Sequence, residues 1–196
     1  MKRYLIGFLT LLIGIGSSQP MLAATFVLDA AHSSVEFKVR HLAISKVRGA
    51  FHDFEATFNF EPDKPETWQV EAVIQSASIS TDNADRDNHL RSEDFLFAEK
   101  YPTITFVSTG VEMTGADTAK LKGDLTIRGV TKPVVLAMKI NGMVEFMGTT
   151  KAGFEATGKI NRKDFGLTWH KALETGGLVV GDEVEISIEI EGNLKQ

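Results

Sequence analysis

Between residues 82 and 102 the chain reads DNADRDNHLRSEDFLFAEKYP, and within ten positions it places Asp85, Arg86, Asp87, His89, Arg91, Glu93 and Asp94. Three chemistries suit such a cluster. A histidine beside a carboxylate makes a general base with its orienter, so His89 with Asp85 or Asp87 is the natural catalytic pair. Catalysis would also need a nucleophile or oxyanion donors. Ser92 is close by, yet no G-x-S-x-G turn surrounds it. A metal would draw His41, His89 and His170 together with Asp87 or Asp164, but no H-x-H or H-E-x-x-H pair fixes two ligands at once. The third chemistry is a polar lid. Phe95, Leu96 and Phe97 follow the charged turn as an apolar wedge, and Tyr101 and Pro102 bring the chain back into the next element. Arg86 and Arg91, with His89 beside them, would then face the headgroup or phosphate of a ligand. A network pinning the lid to its support accounts for Arg86, Asp87 and His89 equally well, because half-buried charges need mutual partners whatever else they do. The lid is the reading with the fewest missing parts, and it requires no catalytic residue, metal ligand or cofactor.

What positions this segment is a series of strands. In DEVEISIEIEGN, Val184, Ile186, Ile188 and Ile190 alternate with Glu183, Glu185, Ser187, Glu189 and Glu191, the two-residue period of a sheet with one wet face. The same alternation runs through SVEFKVRH, FEATFNF, AKLKGDLTIRG, PVVLAMKI and AGFEATGKI. WQVEAVIQSASIS and TITFVST bring the count to about eight, separated by turn signals such as EPDKPE, TGADT and RGVTKP. Only residues 82–91, between the third and fourth strands, carry helical spacing: Asp82 is placed to cap, and Asp82–Arg86 and Asp87–Arg91 fall four apart. The pattern predicts an all-β, antiparallel, up-and-down arrangement that closes into a barrel and so removes its exposed edges. An interior of that size just holds one small ligand or is filled by side chains. Ala56, Ala72, Gly123, Ala156 and Gly158 at inward positions suggest that space is left open. With strands running alternately up and down, the links at 41–47, 81–102, 128–132 and 161–181 share one end, and these include the two longest. Links at 61–67, 109–116 and 141–150 share the other. Long connections on a compact sheet are usually lids or mouths.

The chain opens MKRYLIGFLTLLIGIGSSQPMLAATF, a short basic stretch, an apolar run and small residues up to Ala23 and Ala24. That is the form of a secretory signal peptide, with cleavage after Ala23 or Ala24, and the run is too short for a spanning helix of ~20 residues. Residues 1–24 are therefore set apart from one domain over 25–196, and the location expected is the periplasm. Cysteine is absent, so thiolate chemistry and cysteine-ligated metals are excluded. Net charge is −5, and no basic run follows the leader, which argues against nucleic acid or an anionic membrane as partner. Phe outnumbers Trp and Tyr together by 13 to 2 and 2, and Phe is the aromatic without a polar handle, as suits the lining of a large apolar space.

Four stretches, HSSVEFKVRHLAISKVRGAFHDFEATFNF, SASISTDNADRDNHLRSEDFLFAEKYPTITF, GDLTIRGVTKPVVL and GFEATGKINRKDFGL, resemble the YceI-like, polyisoprenoid-binding proteins of the bacterial periplasm in order and spacing. The block RDNHLRSEDFL followed by KYP is the most specific. Ala56 stands where the family often has glycine, a change that touches strand curvature more than function. The resemblance implies an extended, lipocalin-like antiparallel barrel of about eight strands, capped by a short helix and holding a long apolar chain inside. It also implies a carrier or store for an isoprenoid or similar long-chain amphiphile, without a catalytic residue, and some members resemble dimers. A homodimer is therefore possible here.

Strand parity selects the wall of the expected site: Phe37, Phe54, Phe58, Val70, Ile74, Phe106, Leu125, Leu136, Phe154 and Ile188. A register error of one residue would turn any strand's set outward. Burying ~400 Å² of hydrocarbon there offers ~10 kcal/mol before ordering costs. The competing readings are an enzyme or metal protein using the rim residues on a lipid-like substrate, and a solid scaffold whose loops bind a protein.

Overall fold

The computed structural model describes residues 24–171 and 179–195. The leader expected at the N-terminus falls outside them, Ala24 excepted. Among the described residues eleven strands form a single sheet: β1 (Thr25–Leu28), β2 (Ser34–His41), β3 (Ser45–Phe51), β4 (Phe54–Asn59), β5 (Gln69–Gln75), β6 (Ile79–Ser80), β7 (Thr103–Met113), β8 (Thr118–Ile127), β9 (Val130–Phe146), β10 (Thr149–Asn161) and β11 (Val180–Leu194). Their order is β1-β4-β5-β7-β8-β9-β10-β11-β2-β3-β6, and β1 also pairs with β11.

The pairing resolves these pieces into eight staves. β1 and β2 both run against β11, Phe26 facing Leu194 and Val39 facing Val184, so they are one strand interrupted by a 3-10 turn at Ala30–His32. β3 and β4 run against β2 and β1 in turn, interrupted at His52 and Asp53. β6 and β5 follow against β3 and β4, interrupted at Ser76–Ser78. With β7 to β11 this is a closed, antiparallel, eight-stranded barrel, and the helix α1 (Ala84–Arg91) lies between its third and fourth staves. The alternation that shows this in the sequence is cleanest in β8, where Ala119, Leu121, Leu125 and Ile127 are buried and Lys120, Lys122 and Asp124 face out.

Two halves of staves escape the sequence pattern. β1 is only four residues long, and β3 begins within what reads as the link 41–47, since the chain turns at Leu42–Ile44 and is extended again from Ser45. At the other end the expected links shrink to residues 114–117 and 147–148, because β7, β9 and β10 run on. Two-residue turns with both φ values positive, Arg128–Gly129 and Met147–Gly148, close the β8–β9 and β9–β10 hairpins. Such turns match the right-handed twist of the strands they join. The two longest connections do share one end, here called the top, while residues 60–68 link β4 to β5 at the other.

The bottom of the barrel is plugged by rings. Phe26 stacks on Phe58 at 5.2 Å, Phe154 meets Phe58 and Phe60 edge-on at 5.3 and 4.8 Å, and Phe60 packs on Trp68 at 4.7 Å. The indole of Trp68 donates to the Glu61 carbonyl at 2.6 Å, which satisfies its polar atom. Gly123 and Gly158 do not leave space open as their type suggests. A Cβ on Gly123 would come within 2.3 Å of the Phe106 ring, and one on Gly158 within 2.5 Å of Leu136. These glycines seat neighbouring side chains, and the open space lies elsewhere.

Candidate functional site

Above the aromatic plug the barrel encloses a cavity of about 280 Å³. All ten positions selected by parity line it: Phe37, Phe54, Phe58, Val70, Ile74, Phe106, Leu125, Leu136, Phe154 and Ile188. Ala56, Ala72 and Ala156 also line it, as their small size suggests, whereas Gly123 and Gly158 do not. Phe51, Ile79, Val180 and Val184 continue the wall toward the top. The surface is hydrocarbon almost throughout, so the site offers an apolar guest burial and little else.

The roof comes from the charged segment with which the sequence stands out. Leu90, Phe95 and Leu96 reach into the cavity, and Phe165 and Leu167 from the segment after β10 close it beside them. Phe97 does not take part in this wedge. Its φ of 49° turns it out of the cavity, against Tyr101 at 6.0 Å and under the guanidinium of Arg128. The cap of α1 is Asn83, which accepts from the Arg86 amide at 2.9 Å, while the expected cap Asp82 has a φ of 58°. The expected pairs Asp82–Arg86 and Asp87–Arg91 do not form either. Asp87 is buried and accepts from the amide and hydroxyl of Thr81. Arg86 donates to the hydroxyl and carbonyl of the same threonine at 2.7 and 2.8 Å. Arg91 donates to the carbonyls of Ala77 and Ile79, both at 2.7 Å. Neither arginine lines the cavity. Both guanidinium groups are occupied in tying α1 to β6 and the residues on either side of it, which is the pinning network the sequence allows for.

His89 stands on the outside of the roof. Its Nε2 lies 2.9 Å from Asp94, and its ring meets Phe95 and Trp169 edge-on at 5.0 and 5.1 Å. It contacts the back of a lining residue without reaching the cavity itself. His41, His89 and His170 gather with no carboxylate into a metal-capable group among the described residues; the one such group there is Asp29, His32 and Glu191, at the interruption between β1 and β2. Sequence reasoning passed over it because Glu191 lies far along the chain from Asp29 and His32. Lys151 already occupies it, 3.2 Å from Asp29 and 2.6 Å from Glu191. Burial would raise the Asp29 carboxyl, but hydrogen bonds from His32 and Lys151 outweigh that and hold it below its ordinary value of 3.8, while Glu191 holds the Lys151 ammonium above its own. A carboxylate with a lowered folded pKa stabilises the fold above its unfolded pKa, and that contribution is lost as pH falls through the folded value. Asp29→Asn should therefore cost about 1 kcal/mol near neutrality, a gap that closes below about pH 4. Urea unfolding at both pH values checks this, and a gap of constant size would contradict it.

Arg162 is the charged residue that the sequence gives least reason to select. It is 4% exposed, at the upper cavity wall, and its donors reach the carbonyls of Gly181, Leu167 and Trp169 and the Asp182 carboxylate. Burial lowers its pKa and Asp182 opposes the shift. With every nitrogen engaged, Arg162 offers nothing to a guest, and it is a tie between β10, β11 and the roof.

A closed eight-stranded barrel with an apolar chamber under a pinned roof is the class of protein these elements define. The YceI-like domain model matches residues 26–192, and the chain belongs to that family. It is 41% identical to the protein YceI of Escherichia coli O157:H7, over 98% of each chain. Among solved structures, the YCEI protein of Campylobacter jejuni is 40% identical with a TM-score of 0.70, over 86% of this chain and 97% of that one. A polyisoprenoid binding domain from Saccharophagus degradans shares the fold at 15% identity and a TM-score of 0.66, over 88% and 99%.

Proposed function

We propose that this protein binds a long-chain isoprenoid or similar amphiphilic lipid in the barrel interior and transports or sequesters it in the periplasm, with no chemical step. The cavity carries the proposal: about 280 Å³ of hydrocarbon-lined space inside a closed barrel, whose one guanidinium is already fully bonded. An apolar chain gains burial there, whereas a polar substrate would lose its water without finding partners. The likeness in fold to the polyisoprenoid binding domain of Saccharophagus degradans supports the ligand class. The leader-like start of the sequence supports the compartment. Among the described residues, no side chains meet at the cavity in an arrangement of base, nucleophile and oxyanion donors, which favours a binding role over an enzymatic one.

Protein purified from its native periplasm without detergent, and examined by native mass spectrometry, should carry a stoichiometric long-chain adduct. A mass that stays bare when isoprenoids and fatty amides are offered would overturn the proposal. The same spectrum reads whether the protein is a dimer. Ala72, which lies between Ala56 and Phe106 across the strands, offers a sharper probe. Ala72→Phe should weaken retention of long chains at least tenfold, with a stability change within the ~1–3 kcal/mol of overpacking. Val73→Thr on the outward face should leave retention as it is, and equal effects of the two substitutions would place the guest outside the barrel.

A further inference from the structure

The β2–β3 hairpin has an outward face that the cavity does not use. Lys38 stands directly opposite Arg48, and Arg40 directly opposite Lys46. Like charges facing each other across antiparallel strands repel, yet this hairpin stacks two such rungs in a chain whose net charge is −5. The sequence hides the patch, because its cations alternate with apolar residues in FKVRHLAISKVRG and only the hairpin register brings them together. Among the described residues, the carboxylates at its border include Glu185, paired with Lys46 at 2.6 Å and standing opposite Lys38 in the β11 register, and Glu36, two positions before Lys38 on the same strand. Arg40 reaches the Ala43 carbonyl, and no described carboxylate comes within ion-pair distance of it, of Lys38 or of Arg48, so Glu185 alone tempers four cations.

Two further features belong to the same hairpin. Its tip is Leu42-Ala43-Ile44, and Ile44 is 85% exposed. Its inner face, through Phe37, Val39 and Phe51, lines the cavity. One element therefore joins an apolar point, a cationic outer face and the wall of the apolar site.

We propose that this hairpin is a docking surface for an anionic phospholipid bilayer. Ile44 enters the acyl boundary, Arg40 and Lys46 follow about 7 Å behind it at two residues of strand rise, and Lys38 and Arg48 form the next rung. That succession matches an interface in which hydrocarbon gives way to phosphate. A nucleic acid would meet the cations and leave the isoleucine in water. The β9–β10 hairpin at the opposite end also exposes apolar side chains, with Met147 90% and Phe146 55% exposed, but its neighbouring lysines are spent. Lys139 pairs with Glu155, and Lys151 with Asp29 and Glu191. Charge complementarity thus selects the top of the barrel. Docking there would set the upper end of the cavity against the bilayer, so that a lipid could pass between them without crossing water. That consequence rests on the carrier reading; the docking itself does not.

The test is co-sedimentation of the purified protein with phosphatidylcholine vesicles, with and without phosphatidylglycerol. Binding should require phosphatidylglycerol and should weaken as salt is raised. The double substitution Arg40→Glu, Arg48→Glu should lower it by roughly 25-fold or more, at about fivefold per cation removed. Ile44→Asp should lower it as well, and Met147→Asp at the other end should not. All four positions are exposed, and unchanged thermal melts would show that the fold is kept. Equal binding to both vesicle types, no binding by the parent protein, retained binding in the double variant, or loss caused by Met147→Asp would each overturn the proposal. Retention of lipid is read separately by mass, so failure of docking leaves the carrier reading standing.

Discussion

Arg162→Met is expected to destabilise the protein by about 3–5 kcal/mol, the range for removing one member of a buried ionic network. Nε of Arg162 donates to Gly181 at 2.9 Å, Nη1 to Leu167 and Trp169 at 2.6 and 2.8 Å, and Nη2 to Asp182 at 3.1 Å. Methionine fills the volume and leaves those carbonyls facing hydrocarbon without a donor, the expensive half of any hydrogen-bond deletion. Asp182 keeps Lys163 at 2.8 Å, so an orphaned carboxylate is not the source of the loss. Arg162→Lys should recover less than half, since a single ammonium cannot span partners on three sides as the planar fork does. The segment freed is the one that carries Phe165 and Leu167 over the cavity, so retention of an apolar guest should fall with stability. Urea unfolding measures the first effect. A loss under about 1 kcal/mol, or full recovery by lysine, would show that water reaches these carbonyls and that the roof is not held as described.

The difference between Arg162 and the wall residues shows what the sequence makes legible. Wall positions such as Ile188 or Leu125 are fixed by a local rule, because one face of every stave is wet and the period of two then marks the other. The eight staves follow from the same rule and from the turns between them, and α1 falls in the one stretch that breaks it with helical spacing. β1 is too short to show a period, and β3 carries Lys46 and Arg48 outward so close to the turn that it reads as part of it. Arg162 follows no periodic rule. Its role is set by the carbonyls of Leu167, Trp169 and Gly181, which no spacing announces. Arg86 and Arg91 illustrate the converse. Their type fits a phosphate, but α1 lies close enough to β6 that backbone carbonyls take their donors. Residue type named the chemistry these side chains were capable of, and packing decided which partner reached them.

Phe58→Ala should be as costly, about 3–5 kcal/mol, and its cost should depend on what the cavity holds. Phe58 is 6% exposed, stacked on Phe26 and met edge-on by Phe154. It also covers Gly192, where a Cβ would come within 2.4 Å of the ring. Alanine removes all three contacts. Aspartate would add an unpaired buried charge and test folding alone, which makes alanine the informative change. Because Phe58 lines the cavity, the space vacated joins an existing chamber and does not form a sealed void. An apolar chain can then occupy it. A ligand that binds the folded state alone stabilises it in proportion to the logarithm of its concentration over its dissociation constant. A long-chain isoprenoid should therefore narrow the stability gap between the variant and its parent, since in the variant it restores contacts as well as burying itself. Thermal melts with and without the isoprenoid check this directly. A gap that the isoprenoid leaves unchanged would mean that the bound chain stops short of Phe58, and would confine the site to the upper part of the barrel beneath Leu90, Phe95 and Leu96.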